Sequence, residues 1–366
     1  MKFIVNKEEI YPVIARVAKA VPQKPTEASM AAILIEFENL DNVITATASA
    51  FDGENAITGS FKVLEGEDLS SLRPSGMALF DIVKDLPDGK VEFELASGQI
   101  SIKAGRGKFK IPQLGIGASL ASSLTKPTKK VVLKGEDLAQ AISMISAAVS
   151  KNNTLPVLAS MRIESHQDKI RFVGTDRYRL ATIDITAKRE FTEDASMLVP
   201  LRTIMEIGRS NAKANIVEIY FGETLGMIRA GNVEHIFRLT AGDFPKYDAL
   251  LSTPSVATAK FNAEELAQVL KRVSKFNNES VKLTVSVDGI VLENSASENG
   301  EGIDEANVEY QGEESFSSSF NPNYLADALN QLSGITELAF IAPNRPMTFI
   351  SVGMPNYTHL VMPVNR

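Results

Sequence analysis

Three segments of this chain repeat one pattern at a fixed spacing: FIVNKEEIYPVIARVAKAV, VVLKGEDLAQAISMISAAV and AKFNAEELAQVLKRVSKF. In each, a short alternating strand pattern passes into an amphipathic helix. The acidic pair and the apolar residue after it fall at Glu8-Glu9-Ile10, Glu136-Asp137-Leu138 and Glu264-Glu265-Leu266, a step of 128 residues. The phase persists through Ile14, Ile142 and Leu270, then Val17, Ile145 and Val273, the 4, 3 spacing of one buried helix face. Val21 and Val149 extend it, and Asn277 breaks it. A repeat of this kind constrains the fold more than any local propensity does. At roughly 100 to 200 residues per domain, 366 residues accommodate three such units.

A weaker helical pattern lies between the strong ones, in RPSGMALFDIVKDLPDG, VPLRTIMEIGRSNA and FNPNYLADALNQLSG. Each opens at a proline, Pro74, Pro200 or Pro322, a residue tolerated in a first helical turn because its missing N–H would have no partner there. About six helices are therefore predicted, two per repeat. The stretches between them alternate and are rich in β-branched and aromatic residues, as in KVEFELASGQISIKA and VKLTVSVDGIVLEN, with Gly, Asp and Asn at the breaks. They predict antiparallel hairpins and meanders. The expected fold is α+β: three similar domains of antiparallel sheet with two helices each, over residues 1–125, 129–252 and 256–366, linked through TKPTKK and STPSVAT.

The composition excludes several function classes. Cysteine is absent, which removes thiolate nucleophiles and thiolate metal ligands and suits a reducing cytosol. The first residues, MKFIVNKEEI, lack the apolar core of a signal peptide, and no stretch reaches the roughly 18 to 20 apolar residues of a membrane helix, so a cytoplasmic location is expected. The histidines His166, His235 and His359 are scattered and fall in no ligand spacing. No Walker loop, GxGxxG or GxSxG is present, the acidic run EGIDEANVEYQGEE lacks calcium-loop spacing, and the glycines of AGRGKFK fit a turn between strands. No catalytic residues, metal or cofactor are predicted. A net charge of -7 also argues against a simple basic nucleic-acid binder.

The segment GTDRYRLA, Gly174 to Ala181, resembles the bacterial sliding clamps, the β subunits of replicative DNA polymerase, whose second domain carries a TDGHRLA-like segment on a strand turn. KPTEASMAAILIE, TLPVLASMRIE, LTAGDFPKYDALL, FNPNYLADALNQL and HLVMPVNR match further family segments in order, across the whole chain. The resemblance implies a head-to-tail homodimeric ring with helices lining the hole, and partners of three kinds: duplex DNA without sequence preference, a second copy, and polymerase, clamp loader and repair polymerases that dock short peptides. Encirclement reconciles the acidic charge with DNA, since retention becomes topological and weak electrostatics suffice.

Carried over residue by residue, the resemblance places a peptide cleft at Leu158, Thr175, Arg177, Tyr178, Arg179, Leu180, Pro245, Leu250, Pro346, Val361, Met362, Pro363, Val364, Asn365 and Arg366. DNA-facing candidates are Arg16, Lys19, Arg209, Lys213, Lys271 and Arg272 on helices, with Lys24 and Asn152 on loops, although the six helical segments together are close to neutral. Phe109, Ile111, Lys275 and Phe276 match the family's ring-closing interface. The chain departs from the family where Arg177-Tyr178 replaces Gly-His, where Leu155 replaces an Arg, and where IPQLGIGASLASS replaces an acidic segment. Two other readings stay open on the residues: an enzyme using a carboxylate pair such as Asp176 with Asp243, and a clamp-like protein that dimerises and binds peptides without loading on DNA.

Overall fold

The computed structural model describes residues 1–115, 124–152, 154–275, 279–297 and 300–364. Its helices are α1 (Lys7–Val17), α2 (Gly76–Asp85), α3 (Gly135–Ser146), α4 (Leu201–Asn211), α5 (Asp248–Ser252), α6 (Ala263–Val273) and α7 (Pro322–Leu329). Six are the predicted pairs; α5 is a single extra turn inside LTAGDFPKYDALL. None is long and apolar enough to cross a membrane.

The periodic face is buried as its spacing requires. Ile10, Ile14 and Val17 of α1, Leu138, Ile142 and Ile145 of α3, and Leu266, Leu270 and Val273 of α6 are all core residues. Asn277, where the pattern breaks, lies outside the described residues.

The repeat also carries a tether. The backbone N–H of Lys7, Gly135 and Ala263, again 128 residues apart, donates to the carbonyls of Gly89, Ala214 and Gly334 in the loops after α2, α4 and α7. In the outer two repeats the first acidic residue answers: Glu8 accepts from the Gly89 N–H at 3.1 Å, and Glu264 from that of Gly334 at 3.1 Å. Gly89 and Gly334 have φ of +102° and +65°, which a side chain would resist. These glutamates thus close a loop as well as complementing the helix dipole.

Two proline expectations need correction. Pro74 precedes the α2 cap Ser75, and Pro200 ends the strand Ala195–Pro200, opposite Ser160, before α4 starts. Each marks the boundary where an extended segment stops, a place its missing N–H and fixed φ also suit. Pro322 does occupy the first turn of α7.

Among the described residues the strand pairs with a defined register are antiparallel, and the sheets cross repeat boundaries. Strand Asn55–Val63 of the first repeat pairs with Val233–Arg238 of the second, in the register Val233 to Gly59. Strand Arg179–Thr186 of the second pairs with Met354–Val361 of the third, in the register Arg179 to Val361. Neighbouring repeats so cover one another's edges. Two sheets are unshared: a five-stranded sheet of the first repeat ending on Gly107–Pro112, and a four-stranded sheet of the third with Gly300–Ala306 at one edge.

Because of the shared sheets, the chain divides into two compact units that do not follow the repeats: residues 1–136 with 209–239, and residues 137–208 with 240–366. The first is built on the core around Phe3, Ile10, Ile14, Leu79, Phe93 and Ile102, beneath α1 and α2. The second contains the nine-stranded sheet running from Ala195–Pro200 to Glu309–Gln311, with the Arg179–Thr186 and Met354–Val361 pair near its middle.

Candidate functional site

The segment GTDRYRLA folds as the end of one strand, Lys169–Thr175, a tight turn, and the start of the next, Arg179–Thr186. Gly174 allows α3 to approach: a Cβ there would meet Val149 Cγ2 at 2.7 Å and the Ile145 carbonyl at 3.0 Å. The Asp176 carboxylate accepts from the backbone N–H of Tyr178 and of Arg179, each at 3.0 Å, a turn stabilised by its own side chain. The Thr175 hydroxyl donates to the Arg179 carbonyl at 2.6 Å and accepts from the Arg177 N–H at 3.2 Å. Arg177 sits at φ +79°, the backbone region that favours glycine and that explains the Gly of the family pattern here.

The turn presents Tyr178, 61% exposed, and withdraws Arg179, 6% exposed. Arg179 Nε donates to Asp176 at 3.0 Å, its Nη1 donates to Asp327 of α7, and its guanidinium lies 4.5 Å from the Tyr324 ring centre. Tyr324 also stacks beneath Tyr178, with centroids 6.1 Å apart. The second and third repeats thus join through a cation held by two carboxylates and capped by an aromatic pair, and Tyr178 offers a ring face to solvent.

Beside the turn lies an apolar floor of Val173, Leu180, Leu198, Phe244, Tyr247 and Leu360, with Val157 and Leu251 packed against it. Tyr247 is fixed because its hydroxyl donates to Glu164 at 2.5 Å. Glu164 is buried and also accepts from Arg162 Nε, and hydrogen bonds from Tyr247, Arg162 and His166 outweigh burial and hold its carboxyl below the usual range. Burial raises the Tyr247 hydroxyl, which therefore stays a donor. The Arg162 guanidinium sits 5.7 Å from the Phe244 ring centre.

The other cleft candidates divide by exposure. Leu158, Leu180, Pro346 and Val361 are buried; Leu180 lies opposite Leu360 and Val361 opposite Arg179, so the two occupy opposite faces of a strand pair buried on both. Pro245, Leu250, Arg177 and Val364 are exposed, and Met362 and Pro363 are half-buried. Met362 N–H donates to the Tyr178 carbonyl at 2.8 Å and Val364 N–H to the Ser319 carbonyl at 2.7 Å, so the tail is stitched along the turn. Asn365 and Arg366 lie outside the described residues. Sequence reasoning did not single out Tyr324, Asp327, Phe244 or Tyr247; the aromatic residues in FNPNYLADALNQL and LTAGDFPKYDALL were the available signal.

The cationic candidates also divide. Lys24, Arg209, Lys213, Lys271 and Lys275 are exposed, as is Asn152. Arg272 is tied to Asp304 by its Nε. Arg16 and Lys19 both reach the end of α4, Arg16 Nη2 to the Ser210 carbonyl at 3.0 Å and Lys19 Nζ to the Ser210 hydroxyl at 2.8 Å.

At the interface candidates, Phe109 stays 40% exposed on the free edge strand, whereas Ile111 is a core residue packed over the same sheet face. Ile111 belongs to the core cluster that includes Leu79, Ile100 and Ile102. Phe276 lies outside the described residues. The carboxylate-pair reading finds no support, because Asp176 is consumed as a turn acceptor by three N–H donors. Among the described residues no group of three His, Cys, Asp or Glu is placed to hold a metal ion.

Comparison with known proteins is consistent along the whole chain. Models of the DNA polymerase III beta subunit match in order: its N-terminal domain over residues 1–117, its central domain over 132–246 and its C-terminal domain over 250–365. The chain is 26% identical to the beta sliding clamp of Streptomyces coelicolor over 381 residues, covering 100% of this chain and 99% of that one. It is 27% identical to the beta sliding clamp of Chlamydia muridarum over 333 residues, covering 90% and 89%. The structure of the DNA polymerase III beta subunit from Pseudomonas aeruginosa superposes with a TM-score of 0.90 at 19% identity, covering both chains fully.

Proposed function

The chain belongs to the family of DNA polymerase III beta subunits, the bacterial sliding clamps, and we infer that it is a non-catalytic processivity subunit working as a ring of two copies around duplex DNA. The observation that carries the ring is the pair of unshared sheets. One ends on Gly107–Pro112, where Lys108, Phe109 and Lys110 follow Arg106; the other ends on Gly300–Ala306, with Glu301, Ile303, Asp304 and Glu305. Phe109 and Ile303 remain 40% and 69% exposed. A basic edge in the first repeat and an acidic edge in the third suit head-to-tail pairing of two copies. Each joint would satisfy open backbone groups and bury both side chains.

A closed ring holds DNA by topology, so an acidic chain needs only a few cations toward the duplex, such as Lys24, Arg209 and Lys213. Polymerase and other partners dock through a short peptide laid on the apolar floor by Leu180, Phe244 and Tyr247, beside the exposed ring of Tyr178. Burial supplies about 25 cal/mol per Å² of apolar surface there, and the fixed Thr175–Arg179 turn supplies direction.

The test is retention on nicked circular against linear DNA after loading by a matched clamp loader, with solution mass measured on the same sample. A two-copy species held on the circle and lost on linearisation is expected. A monomer, or equal retention on both forms, would leave a clamp-shaped peptide binder.

A further inference from the structure

The rim of the apolar floor carries a cation on strained backbone. Arg177 stands in the turn that joins the floor residues Val173 and Leu180, next to the exposed ring of Tyr178. Among the described residues six non-glycine residues have positive φ: Asp41, Asn42, Asp68, Ser97, Gln167 and Arg177. Asp and Asn visit this region readily, because a short polar side chain bonds locally there. Arg177 is the one cation of the six. The Thr175 hydroxyl, accepting from its N–H at 3.2 Å, and the Asp176 carboxylate, accepting from the next two N–H groups, hold it there without any help from its guanidinium. Strain kept at the edge of a binding surface points to a use for the side chain.

That guanidinium stands outside the charge pairs of the cleft. Asp176 and Asp327 take Arg179, and Glu164 takes Arg162 and the Tyr247 hydroxyl. The loop that supplies Phe244 and Tyr247 exposes Asp243, Lys246 and Asp248. Among the described residues Arg177 pairs with no carboxylate, and it is exposed. An exposed, unpaired arginine is ordinary by itself; one fixed by a rigid turn beside an apolar floor and an exposed aromatic ring is placed to read what lies on them.

We propose that Arg177 is a specificity-determining residue of the cleft, selecting peptides that carry Asp or Glu within two residues of the apolar anchor nearest Tyr178. This rests on the peptide reading given above. An arginine side chain spans about two residues of an extended peptide, which advances about 3.3 Å per residue. The pair sits in water at the rim, so it adds little to tightness and more to choice of partner and to salt-sensitive association. A peptide with Lys or Arg at that place meets a like charge.

The test selects a random peptide phage library on the full chain and, separately, on Arg177→Glu. Titration calorimetry then compares one selected acidic peptide with its amide form, Asp→Asn or Glu→Gln, on the wild type and on Arg177→Gly, a variant that suits the φ of +79°. Wild type is expected to enrich acidic residues beside apolar anchors, and Arg177→Glu to enrich Lys or Arg there. The acidic peptide should bind wild type about threefold more tightly than the amide form, a ratio that shrinks with salt and falls to about one in Arg177→Gly. Comparing two peptides on one protein cancels any change in the floor itself. Selected peptides of the same charge on both proteins, or a ratio that survives in Arg177→Gly, would overturn the proposal while leaving the peptide cleft in place. A wild-type chain that enriches no peptide overturns the cleft reading, and the proposal with it.

Discussion

Arg177 occupies a conformation at φ +79° that costs a residue with a side chain about 1 kcal/mol, while glycine would lose a similar amount through unfolded-state freedom. Arg177→Gly is therefore expected to leave stability within about 0.5 kcal/mol, and Arg177→Val to lower it by more than about 1 kcal/mol, because β-branching resists that region most. Urea unfolding of the two variants decides it. His359 offers a residue-scale test in pH. It is fully buried, its Nδ1 lies 2.8 Å from the Tyr357 hydroxyl, and Nε2 has no partner. Burial pushes its pKa down from 6.5 to about 3. Above pH 6.5 neither state binds the proton, so stability is unaffected. As pH falls below 6.5 the unfolded chain takes up a proton that the folded chain refuses, so stability drops progressively toward pH 3. His359→Gln should flatten that part of the stability profile; an unchanged slope would show that His359 does not titrate on unfolding.

At the scale of elements, the three first-helix starts are alike in tether but not in cap. Asn262 accepts from the Glu265 N–H at 2.9 Å, whereas Asn6 makes no side-chain cap bond although it holds the matching place before α1. Asn262→Ala should cost about 1 kcal/mol and Asn6→Ala much less, a contrast that thermal unfolding of the pair would expose. Packing of α3 on the strand Lys169–Thr175 depends on Gly174. Gly174→Ala should cost about 1–3 kcal/mol and loosen the Thr175–Arg179 turn, since a Cβ would press on the Ile145 carbonyl as well as on side chains. An alanine variant with wild-type stability would mean that α3 moves aside freely. The helix faces were legible because 3.6-residue periodicity is local. The outlying helix starts were less so: Pro74 and Pro200 suit the last extended residue as well as a first helical turn, and neighbouring strand pairing chooses between them.

For the whole molecule, the proposed pairing of the two open edges between copies is electrostatic as much as apolar. Lys108→Glu with Lys110→Glu should shift the protein to monomer, because like charges would face Glu301 and Glu305 across each joint. Adding Glu301→Lys and Glu305→Lys should restore the dimer. Light scattering across a protein concentration series reads both outcomes, and a quadruple variant that stays monomeric would place the joint elsewhere.

The sequence by itself determined the threefold repeat, the helix faces, the α+β class, the segment that forms the turn at Gly174 to Ala181 and, through resemblance, the family. All of these rest on local periodicity or on contiguous residues. What surrounds Arg179 was decided only in three dimensions. Asp327 and Tyr324 stand about 150 residues away in the chain, and no spacing rule connects them to it. The same holds for the division into units, which follows the strand pairs Asn55–Val63 with Val233–Arg238 and Arg179–Thr186 with Met354–Val361 rather than the repeat. Strand alternation fixes which side chains share a face, but how far along that face the cover extends, as for buried Ile111 beside exposed Phe109, depends on what the rest of the chain lays over it.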